Sequence, residues 1–377
     1  MTDIDFLTPD GRFQLHRLPK RERELLRAWD AADEYLLKIL ADEALKIEHP
    51  LICNDSFGAL SVGLHRFQPL NWSDSFLAQQ ACRENLRHNG IAADRVEFLS
   101  SMQLPAAGIR LVLLKVPKSL ALLEHQLISL KPLLAPGCSF MIAGMAKAMP
   151  ASLWKIIERT IGPTKTTRAL KKAKVITVTI DPLITALKNP YPTRWKLEHS
   201  DLTLINHANV FSREKLDLGT RFLLQNLPQT SGPGEIIDLG CGNGVIGLLA
   251  AQQNPEVLVH FVDESYMAIA SARENYAQLK RDTALAQFHV SDGLHGFAEQ
   301  SCDLILCNPP FHHQQVVGDI IALSMFEQAA RVLRPGAELW VVANRHLDYH
   351  KKLTRWFSAV ELVASNPKFV ILKTSNS

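Results

Sequence analysis

The sequence contains no C-x-x-C spacing, no H-E-x-x-H motif and no paired Cys/His cluster, so no metal site is expected. Its six cysteines, Cys53, Cys82, Cys138, Cys241, Cys302 and Cys307, are scattered and lie mostly in apolar runs, which suits reduced, buried thiols in a cytoplasmic protein. Long hydrophobic runs are also missing. The richest apolar tract, Leu111 to Ala143, is broken by Lys115, Lys118, Glu124 and Lys131 and cannot span a bilayer as one helix, so no membrane partner is expected. The opening segment carries Asp3, Asp5, Arg12, Arg17 and Lys20 without an apolar stretch leading to small residues, and no secretory signal is read there. Charge of one sign is scarce as well: the net value is +3, so the total alone gives no case for a nucleic-acid partner.

What is present is a chain of 377 residues, 47% hydrophobic and 21% charged, an ordinary globular profile with enough length for two cores. Charge is clustered locally. Between Thr164 and Lys196 stand Lys165, Arg168, Lys171, Lys172, Lys174, Lys188 and Arg194, opposed only by Asp181. Such a basic segment suits phosphate contacts; a solvated linker face is the plain alternative. Pro182, Pro190 and Pro192 break any helix across this region, which puts a domain boundary there and divides the chain into residues 1–189 and 190–377. Beyond it, Trp195 to His199 and Leu202 to Asn206 alternate around Ser200-Asp201 and read as a β-hairpin.

The two halves can be laid on one another. Asp217-Leu-Gly-Thr-Arg-Phe-Leu-Leu matches Asp30-Ala-Ala-Asp-Glu-Tyr-Leu-Leu; Glu235-Ile-Ile-Asp-Leu-Gly matches Leu51-Ile-Cys-Asn-Asp-Ser; Arg273-Glu-Asn recurs as Arg83-Glu-Asn, each after an aspartate, Asp263 or Asp74. Leu333-Arg-Pro-Gly likewise matches Leu134-Ala-Pro-Gly, a helix stop and turn before a buried strand. Short apolar strands alternating with amphipathic helices predict an α/β fold, two tandem doubly wound domains from an internal duplication.

Chemistry is concentrated in the second half. The strand Ile236 to Leu239 runs into Gly240-Cys241-Gly242-Asn243-Gly244 and a helix from Val245, a loop that lets a ligand approach the backbone and presents a helix start to an anionic group. Asp238 belongs to the same stretch. Gly242-x-Gly244-x-x-Gly247 also satisfies the dinucleotide fingerprint, and Asp263 suits the ribose hydroxyls of NAD or adenosine alike, with a helix cap as its plain structural role. Asp292 is a further acceptor, for an adenine amino group, or a turn residue. The discriminating segment is Asn308-Pro309-Pro310-Phe311, placed after the apolar strand Leu304 to Cys307. Two prolines stiffen a turn that offers only acceptors, the Asn308 side-chain oxygen and the Pro309 carbonyl. Two acceptors can hold both hydrogens of a conjugated amine and turn its lone pair toward an electrophile, while Phe311 stacks on the ring. A dehydrogenase has no use for this turn.

These motifs, with His207-Ala-Asn-Val-Phe-Ser212 and Leu216-Asp-Leu-Gly-Thr220, resemble the bacterial ribosomal RNA guanine-2-amino methyltransferases, over nearly the whole chain. The paired halves and Asn344-Arg-His-Leu-Asp-Tyr349 resemble the large-subunit branch more than the small-subunit one. The resemblance implies Rossmann-like methyltransferase domains, an N-terminal copy that is degenerate and helps bind RNA, and a C-terminal copy that holds S-adenosyl-L-methionine. It further implies that Gly219 and Thr220 contact the methionine end of the cofactor, and that Asn308 to Phe311 hold a guanine of 23S rRNA, free or partly assembled. A small-subunit guanine, a DNA adenine or a protein glutamine poses the same electronic problem to the same turn.

In the first half Ser56, Gly58 and Leu60 are expected at the positions of Gly240, Gly242 and Gly244, with Leu60 filling the cleft. Ala32-Asp33 replaces Gly219-Thr220, and Lys115-Val116-Pro117-Lys118 replaces the acceptor turn. Lys118 and Lys131, with the basic segment, are expected to face RNA phosphates, or to be scattered solubility charges. His207, His312 and His313 are proton acceptors only if they are not ordinary surface or core histidines.

Overall fold

The computed structural model describes residues 3–20, 24–43, 47–229, 232, 234–310 and 315–376. The chain forms two compact units, Met1–Tyr191 and Pro192–Ser377. In the second, a seven-stranded sheet runs in the order Ala286–Val290, Leu258–Asp263, Glu235–Leu239, Cys302–Cys307, Leu333–Asn344, Phe369–Ser375, Val360–Ser365. The first five strands are mutually parallel, Phe369–Ser375 runs against them, and Val360–Ser365 pairs antiparallel to it. Alternation sends Leu304 and Leu306 into one core, beneath the helix Val245–Gln253, and Ile305 and Cys307 into another, beneath the helix Gln315–Val332. Both faces are thus covered, and the carboxyl ends of the parallel strands meet at one edge. There the chain reverses from Glu235–Leu239 toward neighbours on either side, the crevice where open α/β sheets bind ligands.

The first unit has a seven-stranded sheet of the same order and senses: Glu97–Ser100, Leu70–Ser73, Leu51–Cys53, Ile109–Lys115, Leu134–Met145, Ala173–Val178, Thr164–Thr166. The basic segment is therefore no linker over its first half. Lys165 and Lys174 lie on the sheet's terminal hairpin, and Arg168, Lys171 and Lys172 lie in its turn, because Ala173 to Val178 carries enough buried apolar residues to pair with the strand Leu134–Met145. Each unit also begins with a hairpin, Thr193–Lys196 with Thr203–Asn206 and, unanticipated, Asp5–Thr8 with Gly11–Gln14. The turn Thr8-Pro9-Asp10-Gly11 was its available signal.

The hairpins are held by the repeated Arg-Glu-Asn. Asn275 accepts from the Ile205 amide at 2.7 Å and donates to the Ile205 and Asn243 carbonyls; Asn85 accepts from His16 at 2.9 Å and donates to the His16 and Phe57 carbonyls. These contacts correct the alignment of the loops. Gly58 and Gly244 both start a helix with positive φ, 82° and 79°, so Asn54, Ser56 and Gly58 are the counterparts of Gly240, Gly242 and Gly244. Leu60 corresponds to Ile246, and both are core residues; Leu60 does not fill a cleft. Likewise Ser75 and Ser265 cap equivalent helices, which pairs Asp263 with Ser73 and not with Asp74.

Asn275→Ala strips a buried hairpin of two hydrogen bonds and frees the Asn243 carbonyl. We expect it to lower unfolding free energy by about 1–3 kcal/mol in denaturant titrations; a loss below a few tenths would mean the hairpin is held by apolar packing alone.

Candidate active site

The site begins with a helix cap. Asp217 precedes the helix Leu218–Leu224, and its Oδ2 accepts from the Thr220 amide at 2.9 Å, a side chain satisfying an otherwise orphaned N–H. The same Oδ2 lies 3.3 Å from Nδ2 of Asn308, and Thr220 Oγ1 accepts from that Nδ2 at 2.8 Å. An ionised carboxylate can only accept, so the Asn308 amide must turn its NH2 toward Asp217 and its oxygen away. That oxygen, Oδ1, is buried and has no hydrogen-bond partner among the described residues. A buried acceptor left open at the carboxyl edge of the sheet can receive a donor brought by a ligand. Pro309 and Pro310 follow it; Phe311, His312 and His313 lie outside the described residues. Gly219 lies between the cap and a ring, since a Cβ there would meet Asp217 Oδ2 at 3.1 Å and Phe369 at 3.2 Å.

The glycine loop folds over the end of the neighbouring strand, with the Gly240 and Cys241 amides donating to the Val262 carbonyl. Asp263 ties it down: Oδ2 accepts from the Gly242 amide and Oδ1 from Ser265, each at 2.9 Å. Gly242 has φ 56° and nothing within 4 Å of where a Cβ would stand, so its exposed side faces open space. Gly244 differs, because a Cβ there would come within 2.7 Å of Ala272. Asp238 lies beneath the loop, fully buried, with Oδ2 accepting from the Gly247 amide at 2.8 Å. Burial pushes its carboxyl up to about 7, the Gly247 N–H opposing and Asp263 adding. It braces the start of the helix from below. Asp292 is half-buried, and burial raises its carboxyl too, against the nearby His295. His207 is nearly enclosed, its amide donating to Ser271 and its ring 2.8 Å from Glu274, so it is a structural histidine of the hairpin.

Open backbone at Gly242, a carboxylate at the end of the strand on one side of Glu235–Leu239 and a buried unpartnered acceptor just past the strand on its other side make up the site of a Rossmann-like methyltransferase. Residues 201–373 match the methyltransferase small domain model, and residues 3–182 the RLMG N-terminal domain model. The chain is 48% identical to the ribosomal RNA large subunit methyltransferase G of Ectopseudomonas mendocina, over 98% of this chain and 99% of that protein. It is 47% identical to the protein of that name from Aeromonas hydrophila, over 97% of each. The chain belongs to the ribosomal RNA large subunit methyltransferase G family. Among solved structures, the T. thermophilus 16S rRNA N2 methyltransferase RsmC, in complex with AdoMet and guanosine, superposes with a TM-score of 0.78. That match spans 99% of this chain and 97% of that one at 20% identity, a likeness of fold.

The first unit shows what replaces this arrangement. Asp30 caps the helix Ala31–Asp42 as Asp217 caps its own, and Asp33 stands where Thr220 does. Lys115 stands where Asn308 does, its Nζ 2.8 Å from Asp30 and 2.5 Å from Asp33. Lys115 is therefore enclosed in an ion pair and is not offered to phosphates. Burial drives the Asp33 carboxyl up to about 7 despite the lysine, whereas for Asp30 the lysine and the helix amides outweigh burial and hold it below its usual range. Lys131 is also committed, donating to the Ile161 and Asp181 carbonyls at 3.0 and 2.6 Å, because the chain crosses its ammonium there. Lys118 and the basic hairpin, with Lys165, Arg168, Lys171, Lys172 and Lys174, remain at the surface or partly so.

Lys115→Met leaves Asp33 buried without its counter-charge, and we expect it to cost about 3–5 kcal/mol at neutral pH. The folded-state pKa of Asp33 then rises further, so the folded protein binds a proton that the unfolded chain has released. Stability must fall as pH rises from about 4 toward and through 7. Thermal melts from pH 5 to 8 test this. Adding Asp33→Asn should flatten the profile; a Lys115→Met melt independent of pH would refute the pairing.

Proposed function

We propose that the protein transfers a methyl group from S-adenosylmethionine to the exocyclic 2-amino group of a guanine in large-subunit (23S) ribosomal RNA, and that the second unit performs the reaction. The observation that carries this reading is the buried, unpartnered Oδ1 of Asn308, with its amide orientation dictated by Asp217 and Thr220. Membership of the family supports the substrate. The residues present fit the cofactor: Gly219 and Thr220 flank its methionine end, Gly240 and Gly244 shape the loop and Gly242 leaves it room, Asp263 takes the ribose hydroxyls and Asp292 the adenine amine, with Asp238 bracing the loop. When bound, the cofactor supplies an electrophilic methyl on a sulfonium and leaves as a neutral thioether.

The protein's part is to prepare the nucleophile. Asn308 Oδ1 and the Pro309 carbonyl accept the two hydrogens of the amine, which turns its lone pair out of conjugation with the ring; Pro310 stiffens the turn and Phe311 stacks on the base. Holding nitrogen and methyl carbon in line supplies much of the acceleration; as the N–C bond forms and the S–C bond breaks, the nitrogen releases one of its two hydrogens as a proton to solvent water. The guanine must leave any helical stack, at a cost of a few kcal/mol that free or partly assembled RNA reduces. That substrate places the protein in the cytoplasm. Lys118, Lys165, Arg168, Lys171, Lys172 and Lys174 give the first unit an RNA-binding role. An ancestral duplication with a degenerate first copy accounts for the paired caps Asp30 and Asp217 and the paired clamps Asn85 and Asn275.

The test is single-turnover transfer of labelled methyl to unmethylated large-subunit RNA at saturating enzyme. Asn308→Ala should slow transfer by about 10²- to 10³-fold while cofactor affinity holds. Thr220→Val should slow it by roughly tenfold through loss of one amide-orienting hydrogen bond, with Thr220→Ser close to wild type. Methyl transfer to small-subunit RNA, DNA adenine or protein glutamine, with none to large-subunit RNA, would reject the proposed substrate.

A further inference from the structure

The strand Leu333–Asn344 ends beside the candidate site in a short turn, Arg345–Leu347, that the reaction does not use. Arg345 is exposed. Its amide donates to the Lys368 carbonyl at 3.1 Å, and its Nη1 donates to the Asn366 carbonyl at 3.2 Å, leaving the rest of the guanidinium fork outward. Lys368 is also exposed, with its Nζ 5.1 Å from the centre of the Phe369 ring. Among the described residues neither cation has a carboxylate within ion-pair distance. Phe369 pairs across the strands with Asn344 and is the ring that crowds Gly219, so a continuous run of contacts links Asn308, Thr220, Gly219, Phe369, Lys368 and Arg345. Both cations stand at the carboxyl edge of the sheet, the edge at which Asn308 presents its acceptor.

The first unit places charge at the same point of its fold. The Ala146 amide donates to the Lys172 carbonyl at 2.8 Å, and Met145 pairs with Ala173, so Lys172 is the counterpart of Lys368. Lys171 and Lys172 form the two-residue turn of that hairpin with φ of 48° and 67°, left-handed positions that Gly or Asn would fill with less strain. Lys171 reaches Glu34 at 2.7 Å, whereas Lys172 is exposed with no ion pair among the described residues, so a lysine in a left-handed position there leaves its charge open to a partner. Below the two tips the strand ends carry different side chains, Asn308 in one unit and Lys115 in the other, yet both tips are basic.

We propose that Arg345 and Lys368 form a phosphate clamp on the rim of the second unit, gripping the RNA backbone beside the nucleotide whose base reaches Asn308. This rests on the RNA substrate proposed above. A base drawn into an acceptor-only cleft leaves its flanking phosphates at the mouth, where a planar guanidinium and a point-charge ammonium are the side chains that meet them. Because the contact is to phosphate, it contributes affinity and register rather than choice of base.

The full chain tests it, with RNA affinity measured against salt concentration, cofactor binding by calorimetry, and single-turnover methyl transfer. Arg345→Ala/Lys368→Ala should reduce the salt slope of RNA binding by about one to two units and weaken RNA affinity, with cofactor affinity unchanged. The charge-keeping pair Arg345→Lys/Lys368→Arg should restore most of the slope. Lys368→Glu leaves the backbone bond from Arg345 in place and should weaken RNA binding further while the melting temperature holds. If the wild-type protein methylates large-subunit RNA and all three variants keep its slope and affinity, the clamp is refuted and the substrate stands. A wild-type protein that neither binds nor methylates this RNA overturns both.

Discussion

One carboxylate oxygen organises the candidate site. Oδ2 of Asp217 caps the helix start through the Thr220 amide and, from the same atom, faces the NH2 of Asn308. Because a carboxylate has no proton to give, these two donors must both point at it, and the direction of the Asn308 oxygen follows without further instruction. The turn Asn308-Pro309-Pro310 then has its acceptor oriented before any substrate arrives. On the proposed reading, preorganisation of this kind leaves nothing to be rearranged when the amine develops its nucleophilic lone pair.

The first unit keeps the scaffold of that arrangement with different chemistry. Asp30 caps, Asp33 occupies the third helical position and Lys115 ends the strand, so the helix start and strand end are still joined, now by a buried ion pair. A lysine ammonium has three donors and no acceptor, so it cannot receive a hydrogen from an amine. What the two units have in common is what packing and capping demand: the asparagine clamp, the capped helices, the glycine that starts the second helix and the order of the sheet.

How much of this was legible in sequence depended on distance along the chain. The glycine loop, Asp263 and the Asn308 turn are local patterns, and each names its own chemistry. The partnership of Asn308 with Asp217 spans 91 residues, and the only local trace of it is an Asp followed three residues later by Thr, an ordinary helix start. The two-residue misplacement of the first loop has a physical origin as well. Leu51–Cys53 is a strand of three residues, too short for its apolar pattern to fix a register, while the φ of 63° at Asn54 matches the 72° of Gly240 but cannot be read from an asparagine with confidence equal to a glycine. The basic hairpin was obscured because exposed lysines dominate its turn, although Val175, Ile176 and Val178 carry the buried pattern of a sheet strand.

A division of labour follows from electrostatics on the proposed reading. An acceptor-lined cleft repels the phosphates that must accompany a guanine, and cations placed inside it would compete with the amine for the Asn308 oxygen. Positive charge is tolerable only on the rim, where water screens it from the cleft and where Arg345 and Lys368 stand. In the first unit Lys115 is neutralised in the interior by Asp30 and Asp33, and Lys171 is paired with Glu34, so on the same reading charge open to RNA is confined to the surface, at Lys118, Lys165, Arg168 and Lys172. The same fold therefore keeps cations at its edge in both units for different reasons: in the second to protect an acceptor, in the first because a buried ammonium is stable only when paired.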